Sequence, residues 1–395
     1  MGHNPGDPKS ATMAPSLRWD IFCRVVDNFG DAGVCWRLAR QLAGEHGLAV
    51  TLWIDDVAVL ARIAPPLDPD KADQPHGGVR VRRWTRPLPA DVTPADVVID
   101  GFGGGLPESY TNAMAEAPHP PVWIVLEYLS AEPWIDASHA LPSPHPQLPL
   151  TRWFWFPGFT PKTGGVLREA GVLAGRDAFR GNAAARDIVW RATGYMPQPE
   201  ALYVSLFSYA NPALSALLDA WAEGDEPVAC IVPEGIAQSE LDYWTGGAVP
   251  HVGAPLARGR LTIAVAPFVD QDAFDRRLWV ADLNFVRGED SFVRAQWAGQ
   301  PFVWQLYPQA EDAHLTKMDA FLNRLESGLP EGARLGQRAF WYAWNVGAAE
   351  ATAEAWPAYR ATMPAIGVLA RAWARALARQ TDLAERLVKF CESRL

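Results

Sequence analysis

The feature that most constrains the fold is a repeated order of short apolar strands, loops and amphipathic helices. In the first half, "RWDIFCRVV" (Arg18–Val26), "LAVTLWID", "ADVVIDGFGGGLP" and "PPVWIVLEYLS" contain apolar runs of strand length. Between the first two, "GVCWRLARQLAGEHG" places Val34, Leu38 and Leu42 at helical spacing. Strands that alternate with helices form parallel sheets covered by helices. The first half is therefore predicted to be a doubly wound α/β domain.

A second α/β series follows a stretch rich in proline and aromatic residues at 137–200. The segments "ALYVSLFSY", "VACIVPEG", "LTIAVAPF", "DLNFVRGED" and "PFVWQLYPQ" predict strands with helices between them. The 395 residues are enough for two domains, each with its own core. We predict a disordered leader at 1–16, one domain at 17–198, and a second domain from 199 that is followed by a helical tail.

Composition narrows the possible partners and locations. A net charge of −10 argues against direct nucleic-acid binding, which requires a basic face. The first residues, "MGHNPGDPKSATMAPS", lack the apolar core of a signal peptide, and no later stretch is long and apolar enough to span a bilayer. The four cysteines are scattered and no HExxH motif occurs. We therefore expect a cytoplasmic protein with no metal site.

The segment "VRGEDSFVRAQWAG" contains the first candidate site. A strand ends at Val286, a glycine turn follows, and Ser291 is a favourable N-cap for the next helix. The free N–H groups of a helix start can bind a diphosphate, whose charge Arg287 would neutralise. Glu289 is placed to hydrogen-bond a ribose. The same pattern is also typical of an ordinary capped helix with solvated acids.

Aromatic residues follow two other strands of the second series. Phe268 and Phe274 could hold a flat base while the amide of Gln271 reads its edge. Phe207 and Tyr209 end a neighbouring strand, where the Tyr209 hydroxyl could reach a phosphate. The alternatives are that the phenylalanines belong to the core and that the tyrosine makes only a local hydrogen bond.

Two acids follow the first strand, in "RVVDNFGDAGVCW". Asp31 could simply be the N-cap of the next helix. Asp27 ends an apolar run at the carboxyl edge of the sheet, so catalysis and capping are equally consistent with the pattern. Nearby, "GFGGG" lacks the spacing of a dinucleotide-binding motif and more plausibly lets another group approach the backbone closely. The acids of "IDDV", Asp55 and Asp56, are predicted to form a solvated strand end.

Four motifs together resemble the bacterial protein-arginine rhamnosyltransferase family, which modifies elongation factor P. They are "WDIFCRVVDNFGDAGVCWRLARQL", "SLFSYAN", "APFVDQDAFD" and "FVRGEDSFVRAQWAGQPFVWQLYPQ". The resemblance implies a GT-B fold, in which two Rossmann-like domains face each other across a cleft. Residues 17–198, joined by a C-terminal helix at about 371–395 that crosses back, would bind the acceptor, and 199–370 would bind the nucleotide sugar.

The family's activity is implied with the fold. It is an inverting, metal-independent transfer of rhamnose from dTDP-β-L-rhamnose to a guanidinium nitrogen of elongation factor P, which activates the factor for rescue of ribosomes stalled at polyproline. Asp31 corresponds to the general base, Asp27 to its partner in holding the arginine, and Glu289 to a further catalytic residue. The positions that match the nucleotide-sugar site are Phe207, Tyr209, Phe268, Gln271, Phe274, Arg287, Glu289, Asp290, Ser291, Tyr307 and Gln309.

Other functions remain open from the residues alone. A GT-B enzyme acting on a small molecule, or a nucleotide-sugar epimerase, would have similar motifs. A non-catalytic module that binds a translation factor would not need all three acids, which are present here.

Overall fold

The structure is a computed structural model that describes residues 17–26, 29–85, 88–89 and 92–395. Asp27, one of the predicted catalytic acids, lies outside the described residues. The described chain forms two sheets, of eight and six strands, with helices around both. This is the two-part α/β arrangement that the alternating pattern predicts.

The first sheet has the order β3-β4-β2-β1-β5-β6-β8-β7. All neighbouring strands are parallel except the pairs β3–β4 and β7–β8 at the two edges. The central strands are buried and apolar, as parallel strands covered by helices must be. The strands are β1 Arg18–Cys23, β2 Ala49–Ile54, β3 Asp73–His76, β4 Val79–Arg83, β5 Val97–Gly101, β6 Val122–Leu126, β7 Pro142–Pro144 and β8 Thr151–Trp155.

The second sheet has the order β11-β12-β10-β9-β13-β14, in which only the edge pair β11–β12 is antiparallel. Its strand order reverses at β9, and open α/β sheets bind ligands beyond the carboxyl ends of the strands at such a point. The strands are β9 Leu202–Leu206, β10 Val228–Pro233, β11 Leu256–Arg258, β12 Leu261–Ala266, β13 Leu283–Arg287 and β14 Phe302–Gln305.

Fourteen α-helices cover the sheets in the part of the chain that the structure describes. The helices are α1 Phe29–His46, α2 Val57–Ile63, α3 Glu108–Glu116, α4 Ile135–Ser138, α5 Val172–Gly181, α6 Ala183–Arg191, α7 Leu214–Glu223, α8 Gln238–Thr245, α9 Gln271–Val280, α10 Asp290–Ala298, α11 Ala313–Leu325, α12 Glu331–Asn345, α13 Ala349–Ala378 and α14 Leu383–Glu392. No helix within these described ranges is both long and apolar enough to cross a membrane.

Two segments connect the lobes built on the sheets. The last helix, α14, packs its apolar face, including Leu383 and Leu387, into the core of the first lobe. The helical tail is therefore two helices, because α13 ends at Ala378. Helices α5 and α6 precede the second sheet in sequence but pack against it through Phe179 and Trp190. The domain boundary at residue 198 stays a prediction.

Several predicted local features differ from the structure. The first strand ends at Cys23 rather than Val26. Helix α1 begins at Phe29, so Asp31 lies inside its first turn and is not the N-cap. Asp56, predicted to be part of a solvated strand end, is the N-cap of α2 and accepts a hydrogen bond from Val59 N at 3.0 Å.

Candidate active site

Two adjoining cavities lie between the lobes, where the carboxyl edge of the second sheet faces the start of α1. The smaller one, of about 70 Å³, has five aromatic residues in its lining, and we name it the aromatic pocket. The wider one, of about 440 Å³, contains Asp31 and Glu289, and we name it the carboxylate cleft. Gly30, Tyr209 and Gly288 line both, so the two cavities are continuous.

Each predicted site residue that the structure describes lines one of these cavities. Their predicted roles stay predictions. The second-lobe residues follow or end strands β9, β12, β13 and β14 and so lie at one sheet edge, whereas Asp31 lies on α1 of the first lobe. The aromatic pocket is lined by Phe207, Tyr209, Phe268, Gln271, Phe274, Arg287, Asp290 and Ser291. The carboxylate cleft is lined by Asp31, Tyr209, Glu289, Tyr307 and Gln309.

The aromatic pocket draws rings from both lobes. Phe207 and Phe274 pack edge to face with centroids 5.2 Å apart, and Phe268 lies 5.0 Å from Phe29 of helix α1. The Arg287 guanidinium lies over Phe207, 4.6 Å from the ring centroid. These phenylalanines are only partly buried, so ring surface remains for a flat ligand. The first-lobe contribution of Phe29 was not anticipated from the sequence.

Gln271 joins the pocket to the first lobe. Its Nε2 donates to Gly33 O at 3.0 Å and to Asp290 Oδ2 at 3.2 Å. Gly33 permits this approach, because a Cβ there would lie 2.9 Å from Gln271 Nε2. The buried Oε1 of Gln271 has no hydrogen-bond partner among the described residues. A buried acceptor without a partner costs free energy, so this atom favours a ligand with an N–H or O–H donor.

The residue that caps the start of α10, after the turn that follows β13, is not the one predicted from the sequence. Gly288, at a φ of +57°, makes the turn, and Glu289 rather than Ser291 occupies the N-cap position of α10. Ser291 lies in the first turn, where its hydroxyl donates to Arg287 O and accepts from Arg287 N. The start of α10 still faces both cavities, so its first N–H groups are placed to bind an anion.

Asp31 is fixed on the first-lobe wall of the carboxylate cleft. Only 1% of its surface is exposed. Its Oδ2 accepts a hydrogen bond from Val26 N at 2.9 Å, and its Oδ1 accepts one from the Tyr128 hydroxyl at 3.1 Å. A carboxylate held through both oxygens has a defined orientation, which a general base requires.

Glu289 faces Asp31 from the second lobe. Its Oε2 accepts a hydrogen bond from Leu129 N of the first lobe at 2.8 Å. Burial raises the pKa of Glu289 to about 8, and the nearby charge of Asp31 acts in the same direction. At neutral pH Glu289 therefore holds its proton, so the cleft contains two acids in different environments.

A buried ionic cluster, formed by Arg37, Glu169, Asp275, Asp290 and Arg294, lies beside these cavities. Arg37 of α1 contacts Asp275 at 2.9 Å and Asp290 at 2.8 Å, both across the lobe interface. Arg294 contacts Asp275 and Glu169, each at 2.5 Å. Asp290 thus belongs to both the cluster and the aromatic pocket. Burial raises its pKa, although the charges of Arg37 and Arg294 oppose the shift.

Family membership follows from comparison with known proteins. The family model described as "Elongation-Factor P (EF-P) rhamnosyltransferase EarP" matches residues 19–392. The chain belongs to the EarP family. The resemblance inferred from the motifs is therefore confirmed.

Curated relatives in the EarP family align over nearly their whole length. A protein-arginine rhamnosyltransferase of Pseudomonas putida KT2440 is 50% identical over 378 residues, which cover 95% of this chain and 99% of the relative. One of Pseudomonas aeruginosa PAO1 is 46% identical over 372 residues, covering 94% of this chain and 98% of the relative.

Solved structures agree on the fold. A structure that explains EarP-mediated arginine glycosylation of translation elongation factor EF-P has a TM-score of 0.69 and 38% identity, and the match covers 96% of this chain and all of that one. MurG of Acinetobacter baumannii has a TM-score of 0.50 at 15% identity, with 96% of this chain and 100% of that chain covered, which shows likeness of fold alone. The predicted GT-B fold is confirmed.

The ionic cluster and several cleft residues of this EarP-family chain were not predicted from the sequence. Tyr128, His314 and Lys317 also line the carboxylate cleft. In α1, "WRLARQL" places Arg37 among apolar residues, and this was the available signal for a buried ion pair. Across the described ranges, no group of three or more histidine, cysteine or acidic residues is arranged to hold a metal ion. Metal independence stays a prediction.

Proposed function

We propose that the chain transfers rhamnose from dTDP-β-L-rhamnose to an arginine guanidinium nitrogen of elongation factor P, with inversion at the anomeric carbon and without a metal. The observation that carries the proposal is the pair of opposed acids, Asp31 and Glu289, in a cleft continuous with an aromatic pocket. Membership of the EarP family supports the choice of sugar and acceptor. The modified factor would then relieve ribosomes stalled at polyproline, and the proposed reaction belongs to the cytoplasm.

The aromatic pocket suits the nucleotide of the donor. A thymine ring would lie against Phe268 and Phe274, with its imide N–H donating to the unpartnered Oε1 of Gln271. The diphosphate would lie at the start of α10, where backbone N–H groups, Arg287 and the Tyr209 hydroxyl meet it. The sugar would then extend into the carboxylate cleft, towards Tyr307 and Gln309.

Arginine is a poor nucleophile because it is protonated and its lone pairs are delocalised. Because the pKa of arginine lies far above neutrality, its full deprotonation at pH 7 would cost about 9 kcal/mol. Proton removal concerted with attack avoids most of that cost. Asp27 would hold the planar guanidinium, and Asp31, already oriented by Val26 N and Tyr128, would take its proton.

The proposed transfer needs no reactant besides the acceptor arginine and the nucleotide sugar. The guanidinium nitrogen forms a bond to the anomeric carbon, the bond from that carbon to the diphosphate oxygen breaks, and dTDP leaves with the electron pair. The nitrogen's proton goes to Asp31. Glu289 holds its own proton below about pH 8, so it can donate a hydrogen bond to the sugar or diphosphate without repelling the growing negative charge.

Mass spectrometry of elongation factor P after incubation with the chain and dTDP-rhamnose tests the proposal. We expect one deoxyhexose on one arginine, and none when that arginine is replaced by lysine. A parallel reaction without the protein acceptor should leave the nucleotide sugar unchanged. Conversion of the donor without acceptor would favour an epimerase, and an unmodified factor beside a modified small molecule would contradict the proposed acceptor.

A further inference from the structure

The glycine-rich loop at Gly101–Gly105 is a sequence motif that the proposed function does not use. It follows β5 and runs against the end of β1. A Cβ at Gly101 would lie 2.8 Å from Phe22 O, and one at Gly104 would lie 2.9 Å from Arg24 Cβ. The loop thus allows the close backbone approach that its composition predicts.

Phe102 is the residue in this loop with a side chain, and its backbone is strained. Its φ is +57°, in the left-handed region that residues with a Cβ rarely adopt. Its N–H donates to Leu126 O at 2.7 Å, which ties the loop to the end of β6. Its ring stacks on Tyr128, with centroids 4.4 Å apart and planes 18° apart. Local strain of this kind persists where the surrounding structure enforces it, often beside a functional site.

Tyr128 connects this loop to the candidate base. It follows β6, lines the carboxylate cleft, and remains 40% exposed. Its hydroxyl donates to Oδ1 of Asp31 at 3.1 Å, while Val26 N donates to Oδ2 at 2.9 Å. The two donors approach different oxygens, so together they fix rotation of the carboxylate about its bond to Cβ.

We propose that Tyr128 is a positioning residue for Asp31, and that the glycine-rich loop is shaped to hold the Tyr128 ring through Phe102. The inference rests on the proposed function, in which Asp31 takes a proton from the acceptor arginine. That transfer needs one lone pair of Asp31 to face the guanidinium, and a small rotation of the carboxylate weakens it.

Tyr128→Phe removes the hydroxyl and keeps the stacked ring. We expect kcat to fall on the order of ten-fold, because one charge-assisted hydrogen bond that orients the base is lost. KM for dTDP-rhamnose, Kd for dTDP and Tm should stay unchanged. Tyr243→Phe is the matched control, because Tyr243 is 82% exposed on α8. An unchanged kcat, or a loss that follows a lower Tm or weaker dTDP binding, would overturn the positioning role.

Substitutions of Phe102 test the role of the glycine-rich loop. Phe102→Leu removes the stacked ring and should lower kcat, whereas Phe102→Tyr keeps the ring and should restore activity. The double variant Tyr128→Phe with Phe102→Leu should be no slower than the slower single variant, since both act through the orientation of Asp31. Multiplicative losses in the double variant would show that Phe102 acts by another route.

A crystal structure of the Tyr128→Phe variant separates this inference from the proposed function. We expect the Asp31 carboxylate to rotate from its wild-type orientation while helix α1 keeps its position. An unrotated Asp31 would overturn the inference whatever the activity. Failure of the wild-type chain to modify elongation factor P would instead contradict the proposed function, and the rotation would still test the inference.

Discussion

Two partly buried glutamates at the lobe interface have opposite electrostatic environments. Glu169, in the ionic cluster, would have its pKa raised by burial, but the charges of Arg294 and Arg37 outweigh burial and lower the pKa to about 2. Glu289, in the carboxylate cleft, accepts a hydrogen bond from Leu129 N and has Asp31 nearby, and burial raises its pKa to about 8. The same side chain is thus a paired anion in one region and a neutral acid in the other.

Charged side chains stabilise the fold in the ionic cluster, whereas in the carboxylate cleft they are arranged as in a catalytic site. In the ionic cluster each of the three carboxylates contacts at least one of the two arginines, and the pairs made by Arg37 link the two lobes. In the carboxylate cleft Glu289 and Asp31 face each other, and the charge of Asp31 adds to the rise in the pKa of Glu289 while that of Lys317 opposes it. Neighbouring acids with a shifted pKa are typical of catalytic sites. In the proposed reaction, the acceptor arginine would enter this cleft.

The largest expected effect is on activity in the cleft. Asp31→Asn keeps the shape of the side chain but cannot accept the arginine proton, so rhamnose transfer should fall by about 10² to 10⁴. Tm and dTDP affinity should not change. Asp56→Asn is the matched control, because asparagine caps the start of α2 as well as aspartate does. Turnover within a few-fold of wild type in Asp31→Asn would remove Asp31 from the role of base.

The next effect is on stability through the ionic cluster. Arg37→Met removes the arginine that pairs with both Asp275 and Asp290 inside the lobe interface. The free energy of unfolding should therefore fall by about 3–5 kcal/mol. Arg40→Met, on the same helix, breaks an exposed pair with Asp272 and should cost about 1 kcal/mol or less. Urea denaturation followed by tryptophan fluorescence measures both. Equal losses in the free energy of unfolding of the two variants would mean that burial does not increase the contribution of the cluster to stability.

The two glutamates should respond to the same substitution with opposite sign. The folded pKa of Glu169 lies below its ordinary value of 4.5, so its charge stabilises the fold above pH 4.5, and this contribution is lost as pH falls towards 2. The folded pKa of Glu289 lies above 4.5, so stability declines as pH rises from 4.5 to 8. At pH 8, Glu169→Gln should lower the free energy of unfolding and Glu289→Gln should raise it, each by about 1–3 kcal/mol.

Thermal and urea unfolding between pH 4 and pH 9 measure that contrast. The Glu289→Gln variant should also lose the decline in stability that the wild type shows above pH 4.5. Changes of the same sign in both variants at pH 8 would contradict the assignment of one glutamate as charged and the other as neutral.

The sequence predicted the parts of the site that depend on local order along the chain. Residues that follow parallel strands reach the same sheet edge, so Phe207, Phe268 and Arg287 could be grouped without a structure. The pairing of Arg37 with Asp275 joins residues 238 positions apart and depends on how α1 meets α9. Two helix starts were also misplaced: α1 begins at Phe29, before Asp31, and Glu289 rather than Ser291 is the N-cap of α10. Local sequence signals locate helix ends only to within one or two residues.

Gln271 links the ionic cluster to the aromatic pocket, and its substitution gives the smallest expected effect. Its Nε2 contacts Asp290 of the ionic cluster, while its buried Oε1 has no hydrogen-bond partner in the described chain, and the residue lines the aromatic pocket. If Oε1 accepts the imide N–H of thymine, wild type should bind dTDP more tightly than dCDP, whose ring nitrogen at that position has no hydrogen. Gln271→Met should weaken dTDP binding by about ten-fold and reduce this discrimination.

Isothermal titration with the two nucleotides measures the effect. Gln271→Glu is the informative companion, because it keeps an acceptor oxygen but replaces the Nε2 donor that holds Gly33 O and Asp290. Preference for dTDP over dCDP that survives in Gln271→Glu and is lost in Gln271→Met assigns base reading to the oxygen. If both variants keep the preference and lose stability instead, Gln271 acts only as a link between the lobes, and base recognition must come from the rings and their surroundings.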